Sequence, residues 1–528
     1  VVIFALAAQL IGTPFVPFDM FDLAGRVLPG PVITFGIDMI VNTISTFQLG
    51  ETSSAAKTAE QFLAVVGMLA TGIIAVAALF WVLNRKHELP SVIGGLSVGL
   101  IVGAPVMLIS TTINLSATQS KLVSAIWILL AFGLWGVLVG WIHARLSTRP
   151  ISEPAATAES SVKVMDRRTF VVQMGAASAV LTVAGAGLAR LLMPTTTPTT
   201  TAISSASDGT LQNVTWSSTN TLPNAADALA PAPGTRPEFT PLAQHYRIDI
   251  NTLPPVIEEA EWRLSISGSV EAPLEMTLAE LQAFEPVHQF VTLACISNRI
   301  AGDLIGTTRW TGVSLRTLVE QWNPLPSATH LKITSADNFD EFLALDTVMN
   351  DERVILAYAW DGLPLEAKHG FPLRIYIPDH YGMKQPKWIT NIEFVDAWGE
   401  GFWVRRGWDK DAFMRATSVI DTVAVNDVVE QEAGTRLIPI GGIAHAGDRG
   451  ISAVEVRVDD GEWSRAQLRQ PLSETTWLIW RYDWPFEAGQ HRFEVRCLEG
   501  DGTAQIEEPA GSRPSGATGI HSVSRAVI

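Results

Sequence analysis

Three uncharged apolar runs constrain this chain most: Phe62–Leu83, Ser91–Leu115 and Leu122–Ile142. About 20 apolar residues in helical form cross the hydrocarbon core of a bilayer, so each run predicts a transmembrane helix. Val171–Ala189, rich in Ala and Gly, predicts another. Gly30–Phe47 is apolar but shorter and carries Asp38, which fits a position at the membrane interface. Val1–Phe18 is uncharged and starts without Met; it reads as the remnant of an earlier helix.

Basic residues set the expected orientation. Asn84–Pro90 holds Arg85 and Lys86, and His143–Arg168 holds Arg145, Arg149, Lys163, Arg167 and Arg168. Both segments are expected on the cytoplasmic side, so the chain after Val171–Ala189 is expected outside. Asp166-Arg167-Arg168-Thr169-Phe170-Val171 is similar to a twin-arginine export signal, and an ordinary positive flank reads the same way.

Charge divides the chain. The first 150 residues carry 7 Lys/Arg and 6 Asp/Glu, and the rest carry 30 and 47. An acidic domain repels phosphate backbones, which excludes nucleic acid as an expected partner. Between the two parts, Pro194–Pro233 is rich in Thr, Ser, Ala and Pro and predicts a flexible tether.

A globular pattern begins near Arg236. Trp262–Val270 alternates like a strand, with Leu264, Ile266 and Val270 on one face. Thr277-Leu278-Ala279-Glu280 is a capping box that opens a short helix. Phe290–Ala294 predicts a strand ending on Cys295, and Gly302, Gly306 and Gly312 punctuate a loop ahead of a helix beginning at Ser314. Mixed strands and short helices predict an α+β domain. A thiolate metal ligand calls for an accessible, electropositive site beside backbone that allows close approach, and the polar run Cys295-Ile296-Ser297-Asn298-Arg299 has that character. His369-Gly370-Phe371-Pro372-Leu373-Arg374 and His380–Trp388 cluster His, Arg and Lys near Gly turns, which suits an anion.

Further on, Val454, Val456 and Val458 alternate into the turn Asp459-Asp460-Gly461, and Phe493, Val495 and Cys497 share a strand face. Cys497 therefore reads as a core thiol. A disulfide to Cys295, the ordinary reading for two cysteines in an exported domain, would have to bridge separate domains.

In chain order, His245-Tyr246-Arg247, Thr292–Asn298, Trp310–Val313, Ala357–Gly362, His369–Arg374 and Gly382–Trp388 resemble the molybdopterin-binding domain of the sulfite oxidase family. The resemblance implies a molybdenum held by the dithiolene of a single molybdopterin, with Cys295 as the metal's protein ligand. It implies that His369, Arg374 and Lys387 hold the pterin and its phosphate, and that Asp337 contacts the pterin. Asn298 and Lys384 join the expected cofactor-binding set, and Arg247 matches an arginine near the metal. Two positions depart from the family: Ile300 stands where a second arginine helps bind sulfite, and Trp408 where an active-site tyrosine is found.

The expected architecture is therefore N-terminal transmembrane α-helices (1–193), a linker (194–235), an α+β sulfite-oxidase-type molybdopterin domain (236–418) and an immunoglobulin-like β-sandwich (419–528). The last resembles the family's dimerisation domain and implies a homodimer. The expected activity is two-electron oxygen-atom transfer on a small molecule, with Cys295, Arg247 and Trp408 at the reacting centre. The expected partner is an external carrier, a cytochrome or a quinone-linked protein. The departures make sulfite doubtful as substrate. Two other readings are a reductase of an S- or N-oxide and a non-catalytic surface binding protein.

Overall fold

The structure, a computed structural model, describes residues 1–528 except 86–89, 148–213 and 431–433. The twin-arginine-like motif, Val171–Ala189 and the first part of the tether lie outside the described residues. Two compact units divide the rest. One comprises Val1–Leu28, the chain from Lys57 through the long helices, and Ile250–Val256; the other holds Pro29–Ala56, Asp249 and the residues before it, and Ile257–Ile528.

In chain order the long helices are α1 (Val2–Ile11), α2 (Val16–Val27), α3 (Gly30–Phe47), α4 (Thr52–Arg85), α5 (Ser91–Ile113) and α6 (Lys121–Ser147). Among the described residues, α3 to α6 are long and apolar enough to cross a membrane. The uncharged run at the start is not one rod: α1 and α2 bend by 101°. Gly12 caps α1 in the left-handed region, and Pro17 opens α2, a pairing that stops one helix and starts the next.

Helices α5 and α6 pack backbone against backbone. Gly95, Gly99 and Gly103 repeat every four residues along α5, as Gly136 and Gly140 do on α6. A Cβ at Gly95 would stand 2.9 Å from Gly140 Cα, and one at Gly136 would stand 3.0 Å from Gly99 Cα. Small residues of this kind let two apolar helices approach closely enough for backbone-to-backbone packing.

The second unit contains β1 (Leu264–Gly268), β2 (Leu274–Met276), β3 (Val287–Ala294), β4 (Ile305–Ser314), β5 (His330–Ser335), β6 (Asp340–Ala344), β7 (Ile355–Trp360), β8 (Leu363–Pro364), β9 (Arg374–Tyr376) and β10 (Ile389–Val395). One sheet runs β2-β1-β10-β5-β6, and another runs β3-β4-β7-β8 with β9 also on β7. Only β1 and β10 pair in parallel; the remaining pairs are antiparallel. The capping box at Thr277 forms as the sequence predicts, with Glu280 N–H donating to Thr277 Oγ1.

Beyond them lie β11 (Thr417–Val423), β12 (Val429–Glu430), β13 (Arg436–His445), β14 (Ile451–Val458), β15 (Ser464–Arg465), β16 (Gln467–Leu468), β17 (Leu478–Pro485), β18 (Gly489–Glu499) and β19 (His521–Val527). They form two antiparallel sheets, β11-β13-β17-β16 and β15-β14-β18-β19, closed on one core that includes Ile438, Val454, Trp480, Phe493 and Cys497. Asp459 and Asp460 both take positive φ, 50° and 60°, as a tight hairpin turn requires. Both cysteines are free thiols.

The expected tether is corrected over residues 214–235. Asn224 donates to Gln470 O (2.6 Å), Arg469 donates to Asn224 O (3.0 Å), and Ala232 is buried. Few apolar residues predicted a free segment, but polar partners at Arg469 and Gln470, just after β16, pin it.

Candidate active site

Strand β3 delivers Cys295. The strand is held on one side by β4 and at Thr292 by Thr475 O, which accepts the Thr292 N–H at 3.0 Å. Cys295 N–H donates to Leu304 O (2.9 Å), closing the loop between β3 and β4. The thiol lies 3.0 Å from Ser297 Oγ. It is more enclosed than the polar run suggested: Cys295 is 8% exposed, packed with Tyr246, Leu304, Trp310 and Trp360. Burial pushes the thiol up, and hydrogen bonding from Ser297 partly offsets this. A thiolate here requires a cation beside it, which a bound metal supplies.

Around that cluster, polar side chains are buried without protein partners. Among the described residues His245 Nε2, His369 Nε2, Arg374 Nε, Trp310 Nε1 and Trp360 Nε1 all lack a hydrogen-bond partner. They form one patch: the His369 ring lies 4.4 Å from Trp360 and 5.8 Å from His245, and the Arg374 guanidinium sits 4.5 Å over Trp310. Buried polar atoms are normally satisfied, so five together point to a bound group that satisfies them. Burial holds both imidazoles neutral, with His245 pushed down to about 3 and His369 well below the usual range. Arg374 donates to His369 O (2.9 Å), which ties the two expected cofactor residues into one turn. Gly370, at φ 115°, permits that turn: a Cβ there would stand 3.2 Å from both Arg374 Cβ and Lys387 Cβ.

Lys387 closes the far end. Its ammonium donates to Asp249 Oδ2 (2.9 Å) and Lys368 O (3.2 Å). Asp249 also accepts from Arg247 Nε (2.8 Å) and Nη2 (3.1 Å), so Arg247 stands at this end of the patch as part of an ion network. Burial lowers Lys387 to about 8, with Asp249 opposing the shift. A lysine so depressed is charged at pH 7 and loses its proton as pH rises through 8. An anion held by Lys387 is therefore expected to bind more weakly above pH 8, because binding must then take up a proton. Pterin release followed by fluorescence across pH 7–10 checks this; a Lys387→Arg variant should show no such rise in release.

The other expected cofactor residues are placed differently. All three Lys384 donors are committed, to Glu341 Oε1 (2.7 Å), Phe342 O (3.1 Å) and Lys410 O (3.0 Å), which makes it a strut between β6 and the loop at 410 instead of a cofactor contact. Asn298 Oδ1 accepts the Leu304 N–H (3.0 Å) and shapes the Cys295 loop. Asp337 is buried in the turn between β5 and β6, where Oδ1 accepts the Phe339 N–H (3.1 Å), and Ala336 N–H reaches Trp388 O (2.8 Å).

Behind the Cys295 loop, Ala294, Ile296, Tyr381, Met383, Trp408, Ala412 and Met414 form a compact cluster. Trp408 is buried there, and among the described residues its indole N–H has no hydrogen-bond partner. Tyr381, to which the sequence reading gave no role, restores a phenol to this region. Its Oη accepts the Arg415 N–H (3.1 Å). Burial pushes the phenol up to about 12, and negative charge at Cys295 adds to the shift. Arg236, Arg299, Ile300, Tyr381, Arg415 and His445 line a pocket beside the loop. Arg236 is paired with Asp421 (2.6 Å). Arg415 donates Nε to Ser515 O (3.1 Å), and among the described residues its two terminal nitrogens have no hydrogen-bond partner.

His245, Asp249, Tyr381 and Arg415 were thus missed as site residues. His245 and Asp249 flank Arg247 within four residues, and Tyr381 lies inside the expected anion-binding run; only Arg415 had no local signal.

Residues 251–403 match the family described as oxidoreductase molybdopterin binding domain. These residues form a molybdopterin-binding oxidoreductase domain of the sulfite oxidase family. The chain is 27% identical over 291 residues to mitochondrial sulfite oxidase of Macaca fascicularis, covering 47% of this chain and 53% of that one. It is 27% identical over 300 residues to nitrate reductase [NAD(P)H] of Hordeum vulgare, covering 46% and 34%. An uncharacterised oxidoreductase of Bacillus subtilis is 29% identical over 148 residues, covering 28% and 72%. The chain spans about half the length of the sulfite oxidases it matches. The cofactor of the molybdopterin domain is molybdenum with molybdopterin, and the donor patch fits it: two neutral imidazoles, two indoles and two cations face a group rich in acceptors and carrying a phosphate. Among the described residues no three His, Cys, Asp or Glu side chains cluster to hold a metal ion.

Proposed function

We propose that the chain is a membrane-anchored molybdenum oxidoreductase with its catalytic domain outside the cytoplasm, acting on a small anionic or oxide substrate. The observation that carries this reading is the patch of unpartnered buried donors around Cys295. Bound molybdopterin supplies two-electron oxygen-atom transfer. Cys295 holds the metal, and His245, His369, Arg374 and Lys387 hold the pterin and phosphate, with Asp337 and Asn298 shaping its surroundings.

Arg415 binds and orients the substrate's negative end. It stands in the same pocket as Ile300, so it replaces the cation the family carries at that position. Tyr381 keeps its proton through physiological pH and holds it at Oη beside the reacting centre. The Trp408 cluster excludes water. A protonated phenol at this place also favours the reductive direction, in which an S- or N-oxide oxygen must be protonated as it leaves. Electrons pass to or from an external cytochrome or quinone-linked carrier. The C-terminal sheets are read as an immunoglobulin-like dimerisation domain.

Protein from a cofactor-competent host is expected to carry about one molybdenum per chain; none would overturn the reading. Assays with sulfite plus ferricyanide and with methionine sulfoxide plus reduced viologen choose the direction. For the working substrate, Arg415→Gln should raise KM about 10- to 100-fold with kcat nearly kept, the worth of one charge-assisted hydrogen bond. Tyr381→Phe should lower kcat at least about 100-fold with KM nearly kept.

A further inference from the structure

Helix α3 belongs with the catalytic unit, not with the other long helices. It touches that unit from end to end. A Cβ at Gly30 would stand 3.0 Å from Arg406 Cα. Asp38 pairs with Arg513. Arg299 donates to Asn42 Oδ1 (2.5 Å) and reaches Ser45 Oγ (3.4 Å). Thr34 and Ile44 are buried. At about 100° per residue these positions share one face of the helix. Val32, Phe35, Met39 and Phe47 share the opposite face and are exposed, Phe35 at 70% and Phe47 at 69%.

A helix that lies along a folded domain over its whole length cannot also cross the hydrocarbon core, so α3 is not a span although its length and composition would allow one. Its exposed face still needs a covering, and the chain names it. Only Gln48–Glu51 separate α3 from α4, a 34-residue apolar helix. The basic loop after α4 puts the start of α4 on the side opposite to Arg85 and Lys86. The same rule puts everything after Val171–Ala189 on that side, which agrees with the contact between α3 and the catalytic unit.

We propose that α3 lies in the plane of the membrane surface, its Asp38–Asn42 face bound to the catalytic unit and its Phe35–Phe47 face in lipid. Such a helix has a polar face held by protein and an apolar face sunk about 5–10 Å into the headgroup boundary. Arg299 lies four residues after Cys295, so the loop carrying the metal ligand is fastened directly to this helix. The bilayer surface thereby becomes the support of the active-site loop. The proposal rests on the membrane-anchored reading above.

Single cysteines at Leu28, Leu49 and Asn220 in the full chain, reconstituted in sealed spheroplasts or vesicles, test it. The buried Cys295 and Cys497 give the background. A membrane-impermeant maleimide should label Leu28→Cys, Leu49→Cys and Asn220→Cys from the same side. Labelling of Leu28→Cys and Leu49→Cys from opposite sides would make α3 a span and overturn the proposal. Labelling of all three from the cytoplasmic side alone would instead sink the extracytoplasmic placement and leave the in-plane helix standing. A fluorophore on Phe35→Cys should be quenched by lipids spin-labelled near the headgroup. Quenching no greater than for the same fluorophore on Asn220→Cys would remove the lipid contact and with it the proposal.

Discussion

A Cys295→Ser variant is expected to fold, to keep its pterin-binding side chains in place and to lose more than about 100-fold in activity. Outer-shell changes at metal sites already cost about 10- to 100-fold, and this change removes the proposed protein ligand itself. Serine differs from cysteine by one atom and finds a ready partner in Ser297, so the cost in stability should stay near about 1 kcal/mol. The chemistry changes more than the packing does. A hydroxyl is a harder, weaker ligand than a thiolate, and at neutral pH it keeps its proton. Metal analysis, the absorption bands of the metal–thiolate bond and the steady-state rate together check this. Full activity in the variant would show that Cys295 does not ligate the metal.

The Lys384–Glu341 pair predicts the largest loss of stability. Lys384 and Glu341 are 4% and 1% exposed at their side chains, and the ammonium makes three hydrogen bonds. Lys384→Met would leave a buried carboxylate without its cation, which costs about 3–5 kcal/mol. Burial already raises the pKa of Glu341, with Lys384 opposing the shift. Without Lys384 the pKa rises further, and the folded state then binds a proton more tightly than the unfolded chain. Stability of the variant should therefore increase as pH falls through the raised value and decrease as pH rises. Adding Glu341→Leu should recover most of the loss, since an apolar pair needs no compensation. Denaturant unfolding at two pH values measures both effects. Molybdenum per folded chain should not change in either variant; a selective loss of cofactor would return Lys384 to the pterin site.

The sequence revealed the features that depend on local pattern. Length and lack of charge identified the helices α4, α5 and α6. Alternation identified β1 and β14, and two adjacent aspartates before a glycine marked the turn at 459. Cys295 stood out through its polar neighbours. Features that depend on distant partners were not legible. Nothing near Lys384 announces Glu341, 43 residues away on β6, so a lysine in a basic run looked like an anion contact. Arg247 was matched to an arginine near the metal, and its pairing with Asp249 depends on side-chain geometry that the sequence does not carry. Tyr381 escaped notice because the family tyrosine was sought at Trp408, whereas packing brings both into one cluster. The segment 214–235 looked loose because apolar residues are scarce in it, and polar residues can pin a backbone only where a fold supplies partners. Alternation shows which face of a strand is buried; it does not show which charge will be found across from it.

The close approach of α5 and α6 sets different rates of drift along the same apolar helices. Where two backbones touch, at Gly95, Gly99, Gly136 and Gly140, any side chain would have to displace main-chain atoms of the neighbouring helix. Replacement there must be compensated by a second change across the contact. Exposed positions such as Ile101, Leu108 and Leu134 can exchange among Leu, Ile, Val and Met with little effect on packing. Variation in this part of the chain should therefore accumulate on the outside of the helix pair and stop at a glycine seam, which makes the seam a better guide to true descent than overall similarity among apolar helices.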